Sequence, residues 1–219
     1  MSGVWYPKVL DVIGMSKIPD PILASPKYLS TQLFLQHAAQ AGLNGQKIRS
    51  AVDWGIVQQE LDGTMPASVT VGESVLGMSN GAKLSVDRNY LKLAEDTPYV
   101  TVMPLHVVKS IAQETGGYRV DVERIETDGG VLEKIVVHCT YLFLAGGSMG
   151  TSKMLVKAKA TGAIPGLNGE IGKYWGNNGD RLFTRIVWPS TGAPQGGPAC
   201  TAIFHHDNPI APVTFEHGP

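Results

Sequence analysis

Hydrophobic and polar residues alternate most clearly in the middle of the chain. Residues 118–123 read Tyr-Arg-Val-Asp-Val-Glu, and this period of two is typical of a strand with one buried face. The glycines in residues 128–130 predict a turn, after which residues 131–137 return as a second strand. Two further strands are predicted before these two, at residues 99–103 and 105–111. The pattern therefore predicts an antiparallel meander.

A continuous apolar run follows the meander. Residues 141–144, Tyr-Leu-Phe-Leu, predict a strand buried on both faces. Three glycines between residues 146 and 150 permit a sharp turn and close approach of another group to the backbone. Thr151 and Ser152 are good N-cap residues, and residues 151–160 predict a helix. This layout can hold phosphates on a helix N-terminus, and it also serves as a plain connection in any α/β fold.

The segments before and after the meander and the glycine turn also contain helical and strand patterns. Residues 30–41 predict a helix that Gly42 ends. Residues 199–204 and 212–216 predict strands of a second sheet. Helical and strand patterns thus occur together, and the sequence predicts a mixed α/β fold.

Composition narrows the kinds of partner. Hydrophobic residues make up 43% of the chain and charged residues 17%, with a formal net charge of -1, which allows a packed core and argues against nucleic acid as a partner. No apolar run approaches the length of a membrane span. The histidines and cysteines lack metal-ligand spacing, so no metal site is expected. Cys139 lies in an apolar stretch and is expected to be a buried free thiol.

One long segment resembles a known family. Residues 141–180, YLFLAGGSMGTSKMLVKAKATGAIPGLNGEIGKYWGNNGD, are similar to the corresponding segment of bacterial cholesterol oxidases, which belong to the glucose-methanol-choline group of flavin oxidoreductases. LHVVK at residues 105–109 and NGAKLSVDRNYL at residues 80–91 also resemble family segments. The resemblance is good over residues 77–192 and thinner, but in register, on both sides.

The departures from the family pattern imply a domain organisation. The G-x-G-x-x-G turn that opens the family is absent, and no family-type histidine and asparagine follow at the end. We therefore expect the central part of a longer enzyme, inactive by itself. Residues 1–75 would form part of a substrate domain. Residues 76–165 would form part of a Rossmann-like FAD-binding domain with the meander, and residues 166–219 would begin the substrate-binding sheet.

The resemblance implies which residues contact FAD. It places Val108 at the adenine end of the cofactor, and it places Gly146, Gly147 and Ser148 close to it. Small residues in such a turn would let a pyrophosphate approach the backbone. For Val108, an ordinary place in the hydrophobic core is an equally open interpretation.

The resemblance also implies one catalytic residue. Asp207-Asn208 precedes Glu216 in an arrangement similar to the family's, so Glu216 is the candidate catalytic carboxylate. In an apolar sterol cavity such a group could take up and return a proton; the alternative is an ordinary solvated glutamate. His205, His206 and His217 do not align with the family's catalytic histidine, and no catalytic role is predicted for them.

The resemblance also implies a function. The complete enzyme would oxidise a steroid 3β-hydroxyl to the ketone by hydride transfer to FAD, with dioxygen as the acceptor. It would then isomerise the ring double bond through Glu216. Two alternatives remain open: a glucose-methanol-choline oxidoreductase for a different alcohol, and an inactive remnant or binding module without the cofactor. The sequence predicts no oligomeric state and no cellular location.

Overall fold

A computed structural model describes residues 3–176, 179–183, 196–198 and 202–217. The α-helices are α1 Trp5–Ile13, α2 Asp20–Leu23, α3 Leu29–Gln40, α4 Trp54–Leu61, α5 Tyr90–Glu95 and α6 Gly147–Ala160. The strands are β1 Ser16–Lys17, β2 Gln46–Lys47, β3 Arg49–Ser50, β4 His106–Glu114, β5 Gly117–Ile125, β6 Val131–Cys139, β7 Ala202–His206 and β8 Val213–Glu216. Short 3-10 helices are Pro26–Tyr28, Val69–Val71, Glu73–Val75 and Val86–Arg88.

These elements confirm the mixed α/β class. They divide into two compact units, one made of Met1–Val100 and Arg185–Pro219 and the other of Thr101–Thr184. The functional assignment of residues 1–75, 76–165 and 166–219 to substrate and cofactor domains stays a prediction.

The core of the first unit forms around α4. Asp53 caps this helix, because its carboxylate accepts the backbone N–H groups of Gly55 at 2.9 Å and Ile56 at 3.3 Å. Val57 on α4 is fully buried, and burying such a side chain contributes about 1.5–3 kcal/mol. The cluster around it consists of Ile18, Ile22, Tyr28, Val52, Trp54, Val69 and Ala82.

A buried carboxylate at the end of α4 organises the loop that follows. Glu60 accepts hydrogen bonds from the backbone N–H groups of Ser68, Val69 and Thr70 at 2.8–3.1 Å, and also from the Thr70 hydroxyl and the Asn80 amide. Burial by itself would raise the pKa of Glu60, but the bonds from Thr70, Ser68 and Asn80 outweigh it and hold that pKa below its ordinary value. Glu60 is therefore a structural carboxylate.

The second unit contains the predicted meander. Strands β4, β5 and β6 pair antiparallel in chain order, as the alternation at residues 118–123 predicts. Ile111, Val120 and Val122 face α6 and are buried against Ala158. The helix ends in a Schellman motif, since the N–H of Gly162 bonds to Lys159 and that of Ala163 to Ala158.

Two predicted strands are wrong. Residues 141–144 have no regular secondary structure, and Tyr141 and Phe143 are 80% and 91% exposed. Leu142 and Leu144 pack on the α6 cluster, so only one side of the run is covered. Residues 99–103 also lack regular structure; prolines flank them on both sides, and no described strand pairs with them.

The helix and strand predictions at the two ends of the chain hold. Helix α3 occupies nearly the residues predicted, and α6 begins at Gly147 rather than at Thr151. Strand β8 lies within the predicted residues 212–216, and β7 shares residues 202–204 with the predicted strand at residues 199–204, of which residues 199–201 lie outside the described part of the chain. The two strands form a three-stranded antiparallel sheet with β2, in the order β2-β7-β8. Within the described residues, no helix is long and apolar enough to cross a membrane.

Candidate functional site

The glycine turn forms the N-terminus of α6. Gly147 has a φ of +73°, in the region that favours glycine, and a side chain built there would meet no atom within 4 Å. Thr151 is not the N-cap; its hydroxyl instead accepts the backbone N–H of Gly146 at 3.0 Å. The helix has no side-chain cap and no acidic residue in its first turn. Its first N–H groups and the positive end of its dipole are therefore available to an anion.

An apolar cleft lies beside this turn. Its volume is about 340 Å³, and its wall contains Val108, Val120, Leu142, Phe143, Leu144, Ala145, Gly146, Thr151 and Met154. This volume falls at the lower end of the range for small-molecule sites, roughly 300–1,000 Å³. The structure thus brings two predicted cofactor residues, Val108 and Gly146, to one cleft. Gly147 and Ser148 follow Gly146 directly as the first residues of α6.

A β-bulge in β4 adjoins Val108. The register of β4 on β5 shifts between Val108 and Ser110, so Lys109 is an extra residue. The Lys157 ammonium group on α6 donates a hydrogen bond to the Lys109 carbonyl oxygen at 3.3 Å. Val108 is 38% exposed, so it is a lining residue of the cleft and not a fully buried core residue.

These features fit the nucleotide part of a dinucleotide cofactor. Uncapped N–H groups at the start of α6 suit phosphate oxygens. The open space at Gly147 and Gly150, where an added Cβ would meet nothing within 4 Å, leaves room for close approach to the backbone. The apolar wall suits an aromatic ring. The residues of this unit could therefore hold part of FAD.

The β2-β7-β8 sheet carries the predicted catalytic residue and has two different faces. On one face, which we call the α3 face, Phe34 of α3 stacks on Phe204 at 5.5 Å and Phe204 stacks on Phe215 at 4.8 Å between ring centroids. Because side chains alternate along a strand, Ile203, His205, Thr214 and Glu216 lie on the opposite face, which we call the free face.

His217 fixes this arrangement at the end of β8. Its side chain is buried on the α3 face, with Nε2 2.6 Å from the Ser30 hydroxyl and its ring 5.6 Å from that of Phe34. Burial lowers the pKa of His217. Its backbone N–H donates to Ala202 at 2.9 Å. With His217 held on the α3 face, the preceding residue, Glu216, must point to the free face.

Glu216 is exposed and pairs in register with Ile203. Across the same pair of strands, the Nδ1 atom of His205 lies 2.8 Å from the Thr214 hydroxyl oxygen. The sequence pattern gave no reason to single out His205 or Thr214, because their position depends on the register of β7 on β8. Glu216 belongs to the first unit and the glycine cleft to the second.

Comparison with known proteins finds distant relatives of the chain. No protein-family model matches the chain. Over 153 residues the chain is 29% identical to proteins named cholesterol oxidase from two strains of Mycobacterium tuberculosis, CDC 1551 / Oshkosh and H37Rv. The match covers 67% of this chain and 26% of each relative, so the chain spans about a quarter of the length of the curated relatives it matches. The chain is thus distantly related to an oxidoreductase.

Proposed function

We propose that this chain forms part of an FAD-dependent sterol oxidase of the glucose-methanol-choline group. In this proposal the α6 turn holds the cofactor, and the free face of the β2-β7-β8 sheet faces the steroid. The observation that carries it is the shared cleft: Val108 and Gly146, implicated separately by resemblance, line the same cavity. The distant match to mycobacterial cholesterol oxidase supports the same reaction class.

The chain's own residues would bind, orient and move a proton. The first N–H groups of α6, at Gly147 and Ser148, would hold a phosphate of FAD, and the Val108 region would contact its adenine end. A bound flavin would supply the acceptor for the hydride of the 3β-hydroxyl carbon, with dioxygen as the final oxidant. Glu216 would then take the proton between the new carbonyl and the ring double bond, and return it across the allylic system.

The flavin part of the proposal is tested by substitution at the turn. In the complete enzyme, of which this chain would be the central part, we expect bound flavin, measured by visible absorbance per chain. We expect Gly147→Ala to lower the affinity for FAD at least tenfold. The added Cβ is strained at φ +73°, by roughly 1–2 kcal/mol, and it narrows the approach of a phosphate. Gly129→Ala is the matched control, because Gly129 lies in the same unit, has a φ of +92° and has open space at its Cβ.

Two results would contradict this assignment. Intact wild-type protein that binds no flavin would remove the FAD proposal altogether. Equal flavin affinity in Gly147→Ala and wild type would show that the α6 turn does not hold the cofactor. Oxidation of simple alcohols with no reaction on sterols would favour an oxidoreductase for a different alcohol.

A further inference from the structure

The residues on both sides of Glu216 are fixed against the α3 face of the sheet. The backbone N–H of His217 donates to the carbonyl oxygen of Ala202 on β7 at 2.9 Å, and Ala202 is fully buried. The ring of Phe215 stacks on that of Phe204 at 4.8 Å between centroids. Because side chains alternate along a strand, these two contacts determine the direction in which β8 presents Glu216.

A hydrogen bond from α3 orients the His217 ring. Its Nε2 atom lies 2.6 Å from the hydroxyl oxygen of Ser30 in the first turn of α3. The ring is 5.6 Å from that of Phe34, one helical turn later. His217 is 6% exposed, and its Nδ1 atom has no hydrogen-bond partner in the described part of the chain. Loss of the Ser30 hydroxyl would leave both ring nitrogens buried and unpaired, which is unfavourable, so the ring would be displaced.

Two nearby residues have the same chemistry without this contact. Thr31 follows Ser30 on α3 and is fully buried, but its hydroxyl oxygen has no hydrogen-bond partner among the described residues. By alternation along β7, His206 lies on the same face of the sheet as Phe204, but its side chain is exposed. The structure therefore offers a matched hydroxyl and a matched histidine outside the Ser30–His217 bond.

We propose that Ser30 and His217 are positioning residues for Glu216, and that they act by fixing the end of β8. This inference rests on the proposed function, in which Glu216 moves a proton during the isomerisation. A displacement of about 1 Å between reacting groups can lower a rate by a factor of about 100. A small shift at the end of β8 would therefore slow the isomerisation. Hydride transfer to the flavin does not use Glu216 and would continue.

The test compares isomerisation with oxidation in the complete enzyme. The unconjugated 3-keto steroid is supplied, and formation of the conjugated ketone is followed by ultraviolet absorbance. Ser30→Ala and His217→Phe should each lower the kcat of isomerisation about tenfold with little change in KM. The double variant should be no slower than either single variant, because the two residues act through one hydrogen bond. Flavin reduction by a 3β-hydroxysteroid should keep its wild-type rate in all three.

Conservative and matched variants separate positioning from a loss of stability. His217→Gln places an amide group near the position of Nε2, and Ser30→Thr keeps the hydroxyl, so both should retain most of the wild-type rate. Thr31→Val and His206→Phe make comparable changes outside the bond and should leave the rate of isomerisation unchanged. All rates are measured at a temperature at which thermal unfolding shows every variant to be folded.

The outcomes distinguish this inference from the proposed function. If wild type isomerises the ketone and Glu216→Gln slows it, but Ser30→Ala and His217→Phe keep the wild-type rate, the positioning role is overturned and the proposed function stands. Effects that multiply in the double variant, or equal slowing of isomerisation and flavin reduction, would also overturn it. If the complete enzyme binds flavin but leaves the unconjugated ketone unchanged, the isomerisation and the positioning role fall together.

Discussion

The carboxylates of Glu60 and Glu216 lie in contrasting surroundings, the first inside a loop and the second on the free face of a sheet. Glu60 is 7% exposed and accepts five hydrogen bonds from the loop that it organises. Glu216 is exposed on a paired strand, beside an oriented histidine. A carboxylate surrounded by donors from its own chain supports structure. A carboxylate displayed on a rigid sheet is suited to act on another molecule.

The largest effect on stability is expected at Glu60. Replacing Glu60 by Gln keeps the shape but puts an amide donor where the N–H groups of Ser68 and Thr70 need an acceptor. We expect the free energy of unfolding to fall by about 3 kcal/mol, because buried donors lose their partners. Denaturant unfolding monitored by tryptophan fluorescence measures the change.

The matched control for Glu60→Gln is Glu216→Gln. It makes the same chemical change at an exposed position and should alter stability by no more than about 0.5 kcal/mol. Equal losses in the two variants would contradict the distinction between a structural and a displayed carboxylate.

A smaller effect is expected when pH falls. Burial holds the pKa of His217 below its ordinary value of 6.5, so the unfolded chain binds a proton that the folded chain does not. Stability should therefore decrease as pH falls below about 6.5, until the folded-state pKa is passed. Glu60 acts in the same direction at lower pH: its pKa lies below 4.5 in the fold, so its contribution is lost as pH falls from about 4.5.

The two pH windows can be separated by substitution. His217→Phe keeps an aromatic ring beside Phe34 and removes the titrating group, so the stability loss that begins as pH falls below about 6.5 should diminish. The loss below about pH 4.5 should remain. Unfolding free energies measured across pH test this, and a His217→Phe curve parallel to wild type throughout would refute the role of His217.

The sequence predicts local secondary structure better than it predicts which segments pack against one another. The alternation at residues 118–123 identifies β5, and the helix formers before Gly162 identify α6. The apolar run at residues 141–144 shows that the side chains are hydrophobic, but it carries no information on whether a second surface covers Tyr141 and Phe143. Their exposure therefore contradicts the buried strand, although Leu142 and Leu144 are packed.

Long-range contacts explain what the sequence did not reveal about the candidate site. His217 is buried because Ser30, 187 positions away along the chain, meets its ring, and no local signal near residue 217 indicates this. The orientation of His205 depends on the register of β7 on β8. Val108 and Gly146 were selected by resemblance, and only the fold puts them at one cleft.

The sterol oxidase account depends most directly on Glu216. In the intact protein under anaerobic conditions, addition of a 3β-hydroxysteroid should bleach the flavin absorbance in both wild type and Glu216→Gln. Wild type should release the conjugated ketone, whereas Glu216→Gln, which keeps the shape and removes the base, should accumulate the unconjugated ketone. Flavin reduction with an unchanged rate of isomerisation in Glu216→Gln would contradict the catalytic role of Glu216.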